Sequence, residues 1–216
     1  MCHASQHSLL YSLEHGFRDR RSCETQLLEF QADILKNLQA GMQTDMLIMD
    51  FSKAFDKVGH RLFIQKLKQA YYGIRGKTNR WIAGFLTCRT QAVVIGGECS
   101  YEACVQSRVP QSSLLGPTLF LFYVSDITEN INATVRLLVD DTIAYLAIAT
   151  DRDAQTLQDD LTKLGLWEQR WYMEFHPEKC HVLTISRKRN PVHHEYVLYM
   201  GTSYSTLTLL STWALP

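Results

Sequence analysis

Three aspartates carry the clearest chemical signal in the sequence. Asp50 follows the apolar run Met46–Met49, and Asp140 and Asp141 stand between two apolar, β-branched runs. If these elements are neighbours in one sheet, the three carboxylates meet at its end, and their mutual repulsion requires a cation. Oxygen ligands favour Mg²⁺ or Mn²⁺ over zinc. Two such ions about 3.5–4 Å apart can activate an attacking hydroxyl and stabilise a leaving phosphate.

A simpler interpretation of the same aspartates needs no metal. Asp is common in turns, so Asp140-Asp141 can be a good turn and Asp50 a residue that ends a strand. Spacing alone favours this simpler interpretation, because a pair of adjacent aspartates is a weak signal. The residues around the aspartates must therefore decide between the two.

The elements that carry the aspartates predict an α+β fold. The Met46–Met49 run is typical of a central strand that is buried on both faces. Thr134–Val139 and Thr142–Ile148 predict a hairpin whose two-residue tip is Asp140-Asp141. Hairpins without regular βαβ units favour α+β over a doubly wound sheet.

Further helices and strands surround this predicted sheet. In the first helix, five apolar residues fall on one face, which we expect to pack on the core: Leu27, Leu28, Ile34, Leu35 and Leu38. The predicted helices are Cys23–Leu38, Arg61–Tyr72, Thr78–Leu86, Pro117 to about Asn130, and Arg152–Met173. The other predicted strands are Gln91–Ile95 and Tyr101–Gln106 around Gly96-Gly97, Cys180–Ile185, and two short runs after Tyr196.

Composition excludes several classes of protein. The 216 residues are 46% hydrophobic and 20% charged, so the chain can bury a core and is not a disordered tail. Its 22 basic and 22 acidic residues give no net charge, which excludes nucleic-acid binding by bulk charge alone but not a local basic groove.

Targeting signals and cysteine usage predict a soluble intracellular protein without a membrane partner. The longest apolar run, Leu114–Val124, is far shorter than the roughly 20 residues of a spanning helix, and the N-terminus lacks a signal-peptide pattern. The six scattered cysteines form no C-x-x-C pair, so we expect reduced, mostly buried thiols. The sequence leaves nucleus and cytoplasm open, as well as any protein partner.

Five segments, in this order, resemble the reverse transcriptase domain of non-LTR (LINE-type) retrotransposons, especially the chicken-repeat-like group. The resemblance covers roughly residues 11 to 190, and five motifs in order are highly specific. The matching segments are His15–Arg18 (HGFR), Asp50–Val58 (DFSKAFDKV), Pro110–Pro117 (PQSSLLGP), Leu138–Thr142 (LVDDT) and Phe175–Cys180 (FHPEKC).

This resemblance implies a right-hand polymerase fold. Residues 16–190 would form the palm with partial fingers, after a poorly patterned N-terminal remnant in residues 1–15. Residues 191–216 would form a truncated hairpin region before the primer grip, with the grip and the thumb absent. The implied activity is RNA-directed DNA polymerisation. A primer 3′-OH attacks a deoxynucleoside triphosphate on an RNA template, with two Mg²⁺ (or Mn²⁺) ions.

The resemblance also implies roles for four residues around the metals. Asp50 resembles the first metal-binding aspartate and Asp140 the second. Asp141 resembles the neighbouring, supporting or alternate ligand. Lys179 resembles the lysine that protonates the leaving pyrophosphate, a reasonable task for a general acid. The alternative for Lys179 is a solvated residue at a strand edge.

Three more residues resemble contacts of the incoming nucleotide. Phe55 matches the steric gate, a ring packed where the 2′-OH of a ribonucleotide would lie. Gln111 resembles a residue that contacts nucleotide and template. Arg18 resembles a fingers residue whose planar cation pairs with the triphosphate. The alternative for Phe55 is an ordinary core contact.

The sequence departs from the family pattern at two motifs. Leu138-Val139 precede the aspartate pair where the family usually has an aromatic and a small residue, so we expect altered packing beneath the metals. Ser112 stands where the family usually has glycine, which allows close backbone approach. We expect Ser112 to affect catalytic rate more than fold.

Alternative functions remain open from the sequence. A catalytically inactive retroelement remnant would at most bind nucleic acid, and its binding would not change with Asp140. A palm that cannot fold alone would expose apolar surface and aggregate. A zinc site made of His176, Cys180 and His181 fits no common ligand spacing.

Overall fold

The computed structural model describes residues 9–69, 72–87, 89–110, 113–200 and 203–214. These residues form two compact units that are discontinuous in sequence. One unit, called the sheet unit below, comprises Tyr11–Ser52 and Asp126 onward, and the other, the helical unit, is built around Lys53–Ser125. Because the chain leaves the sheet unit and returns to it, the predicted aspartate motifs all belong to one unit.

The helices and strands of the described residues follow the chain in this order. The helices are α1 (Cys23–Gln39), α2 (Ala54–Lys57), α3 (His60–Leu67), α4 (Gly76–Leu86), α5 (Gly116–Val124) and α6 (Asp151–Trp171), with 3₁₀ turns at Ser125–Thr128 and Pro177–Lys179. The strands are β1 (Gln43–Asp50), β2 (Thr90–Gln91), β3 (Val94–Ile95), β4 (Glu98–Cys99), β5 (Ala103–Cys104), β6 (Thr134–Leu138), β7 (Asp141–Ile148), β8 (His181–Ser186), β9 (Val197–Met200), β10 (Ser203–Thr206) and β11 (Thr208–Ala214).

A five-stranded sheet forms the centre of the sheet unit, in the order β11-β8-β1-β7-β6. Strand β1 pairs antiparallel with both β7 and β8, while β11 runs parallel to β8. The middle of β1 is fully covered, with Leu47 at 0% exposure. The prediction of a central strand buried on both faces is therefore confirmed, and the mixed topology confirms the α+β class.

The two long helices of the sheet unit cover the sheet. Helix α1 begins after Ser22, whose side chain and that of Thr25 form a capping box. Its Ile34 and Leu38 pack with Met46 of β1 and Tyr145 of β7. Helix α6 packs against β7 and β9 through a stripe of residues that are 0% exposed: Ala154, Leu157, Leu161 and Leu164.

The prediction for the apolar face of α1 is wrong in part. Leu27, Leu28 and Leu35 are 62%, 65% and 47% exposed, whereas only Ile34 and Leu38 of the predicted face are buried. Ion pairs explain why a different face of α1 is turned to the sheet. A buried arginine of the sheet, Arg136, pairs with Glu29 and Asp33 of the helix. These ion pairs fix the side of α1 that faces the sheet, because a buried guanidinium requires charged partners.

The helical unit contains shorter helices around an aromatic core. Phe63, Phe120, Tyr123 and Leu86 are fully buried. The predicted helix Arg61–Tyr72 is too long, because α3 ends at Leu67, and the helix begun by Gly116-Pro117 turns into a 3₁₀ segment after Val124. The predicted hairpin around Gly96-Gly97 is confirmed as a ribbon in which β3–β4 lies at the end of β2–β5.

Cysteine burial differs from expectation. Cys23, Cys99 and Cys104 are exposed and only Cys180 is buried, while Cys2 and Cys88 lie outside the described residues. The prediction of mostly buried thiols is therefore wrong for the described cysteines. Across the described ranges, the search for a helix long and apolar enough to cross a membrane finds none.

Candidate active site

Two of the predicted aspartates stand directly opposite each other in the sheet. Asp50 is the last residue of β1 and Asp141 the first of β7, and the antiparallel register pairs them. Asp140 immediately precedes Asp141 in the connection from β6. Residues opposite each other on an antiparallel pair project from the same face, so the acidic side chains gather at one end of one face.

The hairpin tip is displaced by one residue from its predicted place. Leu138 pairs with Asp141, which leaves Val139-Asp140 as the two-residue connection and makes the predicted Asp140-Asp141 tip wrong. Val139 lies at φ 63°, in the left-handed region that a β-branched residue rarely adopts. Local turn preferences could not indicate this conformation, because they favour glycine or asparagine there.

Lys179 is the cation nearest to this acidic edge. Its Nζ atom donates to Oδ2 of Asp50 at 2.5 Å. This hydrogen bond, followed by the charge of Asp50, raises the pKa of Lys179. The pKa of Asp141 is also raised, chiefly by partial burial of its carboxyl group and then by the charges of Asp140 and Asp50. The carboxylates thus repel each other, and an ammonium group offsets part of that repulsion.

The backbone around Lys179 is tied to the end of β1. The amide of His176 donates to the carbonyl of Asp50 at 2.8 Å, and the amide of Ser52 donates to the carbonyl of Glu174 at 2.7 Å. The rings of Phe51 and Phe175 stack beside these bonds, with centroids 4.7 Å apart. Lys179 is therefore positioned by a docked segment and not by a free loop.

The donor set suits a divalent cation in its chemistry. All three acids offer carboxylate oxygens, the ligands that Mg²⁺ and Mn²⁺ prefer. The ammonium of Lys179 shows that a positive charge is accommodated beside Asp50. Among the described residues, no three His, Cys, Asp or Glu side chains already converge on one point. A bound ion would therefore draw these carboxylates closer together and replace Lys179 as the positive charge beside Asp50.

Two more of the predicted site residues make contacts within their own units. Arg18 belongs to the sheet unit, where its Nη1 donates to the carbonyl of Tyr11 at 3.1 Å, and burial with the nearby charge of Arg21 lowers its pKa. Phe55 belongs to the helical unit, where its ring stacks on Phe120 with centroids 4.5 Å apart.

Two residues of the Pro-Gln loop and the candidate zinc ligands complete the set. Gln111 and Ser112 lie outside the described residues. Burial raises the pKa of the Cys180 thiol to about 11. Within the part of the chain that the structure describes, no three His, Cys, Asp or Glu side chains form a group that could hold a metal ion, so His176, Cys180 and His181 do not make a zinc site there.

A network of ion pairs and hydrogen bonds around Arg136, beside the site, was not predicted. Arg136 of β6 is 4% exposed, and its guanidinium donates to Glu29 and Asp33 of α1 at 2.8 Å each. Its Nε donates to the hydroxyl of Tyr145, which in turn donates to Asp33. A lone arginine in an apolar strand was the available signal, because a buried charge requires a partner.

An open cavity of about 330 Å³ adjoins the acidic edge between α1 and the sheet. Leu27 and Phe30 line it from the helix, and Ile48, Leu138 and Ile143 line it from the strands. Asp141 lies at its border. The cavity wall next to the carboxylates is therefore mostly apolar.

Comparison with known proteins agrees with this geometry. The reverse transcriptase (RNA-dependent DNA polymerase) family matches residues 3–204. The chain is 26% identical over 212 residues to a probable RNA-directed DNA polymerase from transposon BS of Drosophila melanogaster, covering 90% of this chain and 23% of that protein. It is also 26% identical over 212 residues to the RNA-directed DNA polymerase from the mobile element jockey of the same species, covering 87% and 22%. The chain thus spans less than a quarter of the length of these relatives.

A solved structure shows the same fold. Apo telomerase from Candida tropicalis, truncated from its C-terminal domain, superimposes with a TM-score of 0.57 at 13% identity, covering 92% of this chain and 40% of that one.

Proposed function

Since the chain belongs to the reverse transcriptase (RNA-dependent DNA polymerase) family, we propose that it carries the nucleotidyl-transfer centre of a non-LTR retrotransposon polymerase. The observation that carries the proposal is the register that sets Asp50 opposite Asp141, with Asp140 in the adjoining turn. The reaction joins the primer 3′-oxygen to the α-phosphorus of a deoxynucleoside triphosphate and breaks the bond to the β-phosphate. An RNA template selects the nucleotide.

Members of this family generally use divalent metal ions. Asp50 and Asp140 would hold two Mg²⁺ or Mn²⁺ ions, with Asp141 as a supporting or alternate ligand. When bound, the ions would lower the pKa of the primer hydroxyl and neutralise charge on the leaving phosphate. The charges of Asp140 and Asp50, which after burial are the next causes of the raised pKa of Asp141, support this assignment, because carboxylates that repel each other bind cations.

Lys179 would exchange one partner for another during this reaction. In the metal-free protein its ammonium group neutralises Asp50. Once a metal takes over that task, Nζ is free to donate a proton to the oxygen of the departing pyrophosphate. Before that exchange, the contact with Asp50 raises the pKa of Lys179 and so keeps the proton on Nζ.

Three other side chains would select and hold the incoming nucleotide. Arg18 would pair with its phosphate oxygens, and Gln111 would contact nucleotide and template. Phe55 would exclude a ribose 2′-OH, and its stacking on Phe120 supports this role because a packed ring cannot swing away.

A catalytically inactive chain that binds nucleic acid is the second candidate. The contact between Lys179 and Asp50 favours it, because that ammonium group occupies the place of a cation. In that case the nucleic-acid affinity would fall with salt and would not depend on Asp140.

Primer extension on an RNA template separates the two candidates. We expect Mg²⁺-dependent extension by the wild type and none by Asp140→Ala. Asp159→Ala is the matched control, since Asp159 is an exposed aspartate on α6. Absence of extension in a wild-type protein that melts cooperatively would contradict the proposed activity and favour the binding-only candidate.

A further inference from the structure

The turn that carries Asp140 is held by a segment from the N-terminal part of the sheet unit. This segment runs beside β6: the amide of His15 donates to the carbonyl of Leu137 at 3.1 Å, and Tyr11 donates its hydroxyl to the carbonyl of Val135 at 2.9 Å. Glu14 and Leu137 form an isolated parallel bridge. The segment therefore extends along the edge of the sheet and ends at the turn.

Glu14 is buried where this segment meets the turn. It is 1% exposed, and its Oε1 accepts from the amide of Gly16 at 2.5 Å and from the amide of Val139 at 3.4 Å. Its Oε2 is buried and has no hydrogen-bond partner among the described residues. A carboxyl group buried in this way is costly to the fold, which indicates a role beyond filling space.

Gly16 completes the contact by its lack of a side chain. A Cβ atom at this position would lie 2.6 Å from Cγ2 and 2.8 Å from the amide nitrogen of Val139. It would also lie 2.9 Å from Oε1 of Glu14. Both Val139 contacts are closer than any side chain tolerates, so the segment can press against the turn only with glycine there.

Val139 needs such support because of its backbone conformation. Its φ of 63° is unfavourable for a β-branched residue and persists only where the surroundings impose it. The next residue is Asp140. The backbone conformation of Val139 therefore sets the position from which the side chain of Asp140 projects.

We propose that Glu14 and Gly16 are positioning residues that clamp Val139 in its left-handed conformation and thereby aim Asp140 toward Asp50. The inference rests on the proposed function, because it assigns the clamp to a metal ligand of that site. Glu14 accepts hydrogen bonds whether or not it is ionised, and burial raises its pKa to about 7. Its role is thus that of an acceptor, which glutamine can replace.

The chain offers a matched control at the other end of β6. Asp160 is 0% exposed and accepts from the amides of Asn132 and Ala133 at 2.8 Å each. It is, like Glu14, a buried carboxylate that fixes backbone next to β6, but it lies at the start of that strand. Asp160→Leu therefore reproduces the loss of a buried acceptor without touching the turn.

The first measurement is Mn²⁺ binding to the full chain. Electron paramagnetic resonance detects the ion that stays free and so reports how much is bound. Asp140→Ala identifies the signal that belongs to the site. We expect Glu14→Leu and Gly16→Ala to weaken this binding by about 10-fold or more, as loss of outer-shell support typically does. Glu14→Gln should stay near the wild type, and Asp160→Leu should bind within about two-fold of it.

The second measurement reports on the turn without any metal. Amide hydrogen exchange of residues 136–142 should speed up in Glu14→Leu and stay unchanged in Asp160→Leu. Val139→Gly should suppress the effect of Glu14→Leu on both readouts, because glycine needs no clamp at positive φ. This double variant also protects the test if Glu14→Leu alone folds poorly.

The outcomes separate the clamp from the proposed reaction. Unchanged exchange in Glu14→Leu, or an equal loss of Mn²⁺ binding in Asp160→Leu, would overturn the clamp. Absence of Mn²⁺ binding that depends on Asp140 in the wild type, with faster exchange in Glu14→Leu, would instead support the clamp and overturn the metal assignment.

Discussion

Strand β1 carries an aspartate near each end, and the two differ in what surrounds their oxygens. Asp45 is 1% exposed and accepts from Gln43 at 2.7 Å, from Tyr196 at 2.8 Å and from Thr184 at 3.0 Å. Asp50 lies opposite Asp141 on the neighbouring strand. It accepts a hydrogen bond from Lys179, whose side chain is 60% exposed. Asp45, at what we call the enclosed end of β1, is surrounded by neutral donors. Asp50, at the open end of β1, faces a second acid.

The enclosed end connects distant parts of the sheet unit. Gln43 also accepts from the amide of Val192 at 2.8 Å and donates to its carbonyl at 2.9 Å. Together with Tyr196, this fixes the segment before β9 onto β1. Burial, with the charge of Asp45, raises the pKa of Tyr196, so its hydroxyl remains a donor at any physiological pH. A carboxylate with saturated oxygens stabilises the fold, whereas one that faces a second acid keeps its oxygens for a ligand.

The largest expected effect lies at the open end. Asp50→Asn should reduce RNA-templated extension at least ~10³-fold, since it removes a metal ligand from a site that works by electrostatic stabilisation. Thermal stability should hardly change, because the lost ion pair ends on a lysine side chain that is 60% exposed. Extension assays and calorimetry on the same preparation test this. A large fall in melting temperature would show that the open end is also structural.

Asp45→Ala should have the opposite profile. It leaves buried donors on Thr184 and Tyr196 without an acceptor, so we expect a loss of about 3 kcal/mol in the free energy of unfolding. For a chain of this size, that corresponds to a fall in melting temperature of roughly 6–12 °C. Urea titration measures the loss, with Asp159→Ala as the exposed control. A stability equal to that control would remove the contrast between the two ends.

Lys179→Met should reduce kcat by about 10²-fold, the usual contribution of a general acid. KM for the nucleotide should change little, because the proton is transferred in the transition state. Lys179→Arg is the informative partner variant. It keeps the charge beside Asp50 but releases a proton far less readily. If arginine restored full turnover, the role of Lys179 would be charge neutralisation alone.

Tyr196→Phe removes one of the donors to Asp45 and leaves the rest of its network in place. We expect a loss of about 1 kcal/mol in unfolding free energy and unchanged extension per folded molecule. The double variant Asp45→Ala/Tyr196→Phe should lose less stability than the sum of the two single variants. In the absence of Asp45 the hydroxyl of Tyr196 has already lost its acceptor, so its removal costs no further hydrogen bond. Additive losses would show that the two side chains do not interact.

The sequence predicted the open end better than the enclosed one. The buried run before Asp50 and the aspartate pair after β6 indicated a shared edge, and the structure pairs Asp50 with Asp141. Asp45 carried no comparable signal, because its partners Thr184 and Tyr196 are far away in sequence and common residue types. Only the tertiary fold brings them together.

The errors near the site also have tertiary causes. The tip was misplaced by one residue because the conformation of Val139 depends on contacts from Glu14 and Gly16, which no local turn preference records. The face of α1 was misjudged because Arg136 binds Glu29 and Asp33 of the helix. Apolar periodicity cannot register an ion pair made to another element.

The smallest expected effect is a pH dependence that belongs to the open end. The folded protein raises the pKa of Asp141, so it binds that proton more tightly than the unfolded chain does. The ionised carboxyl therefore lowers stability at pH 7, and this cost disappears as the pH falls through the raised pKa toward the usual aspartate value of about 4.

Asp141→Asn removes the ionisable carboxyl group and with it the loss of stability at pH 7. Without metal, its melting temperature should exceed that of the wild type at pH 7, and the two should converge near pH 4. Mg²⁺ should reverse the order at pH 7, because the ion binds more weakly to a chain that has lost one of the three carboxylates and therefore stabilises it less. Melting curves at both pH values, with and without Mg²⁺, measure this. Mg²⁺ should leave the difference in melting temperature between Asp45→Asn and the wild type unchanged, since both keep the three site carboxylates and the oxygens of Asp45 are already occupied by neutral donors.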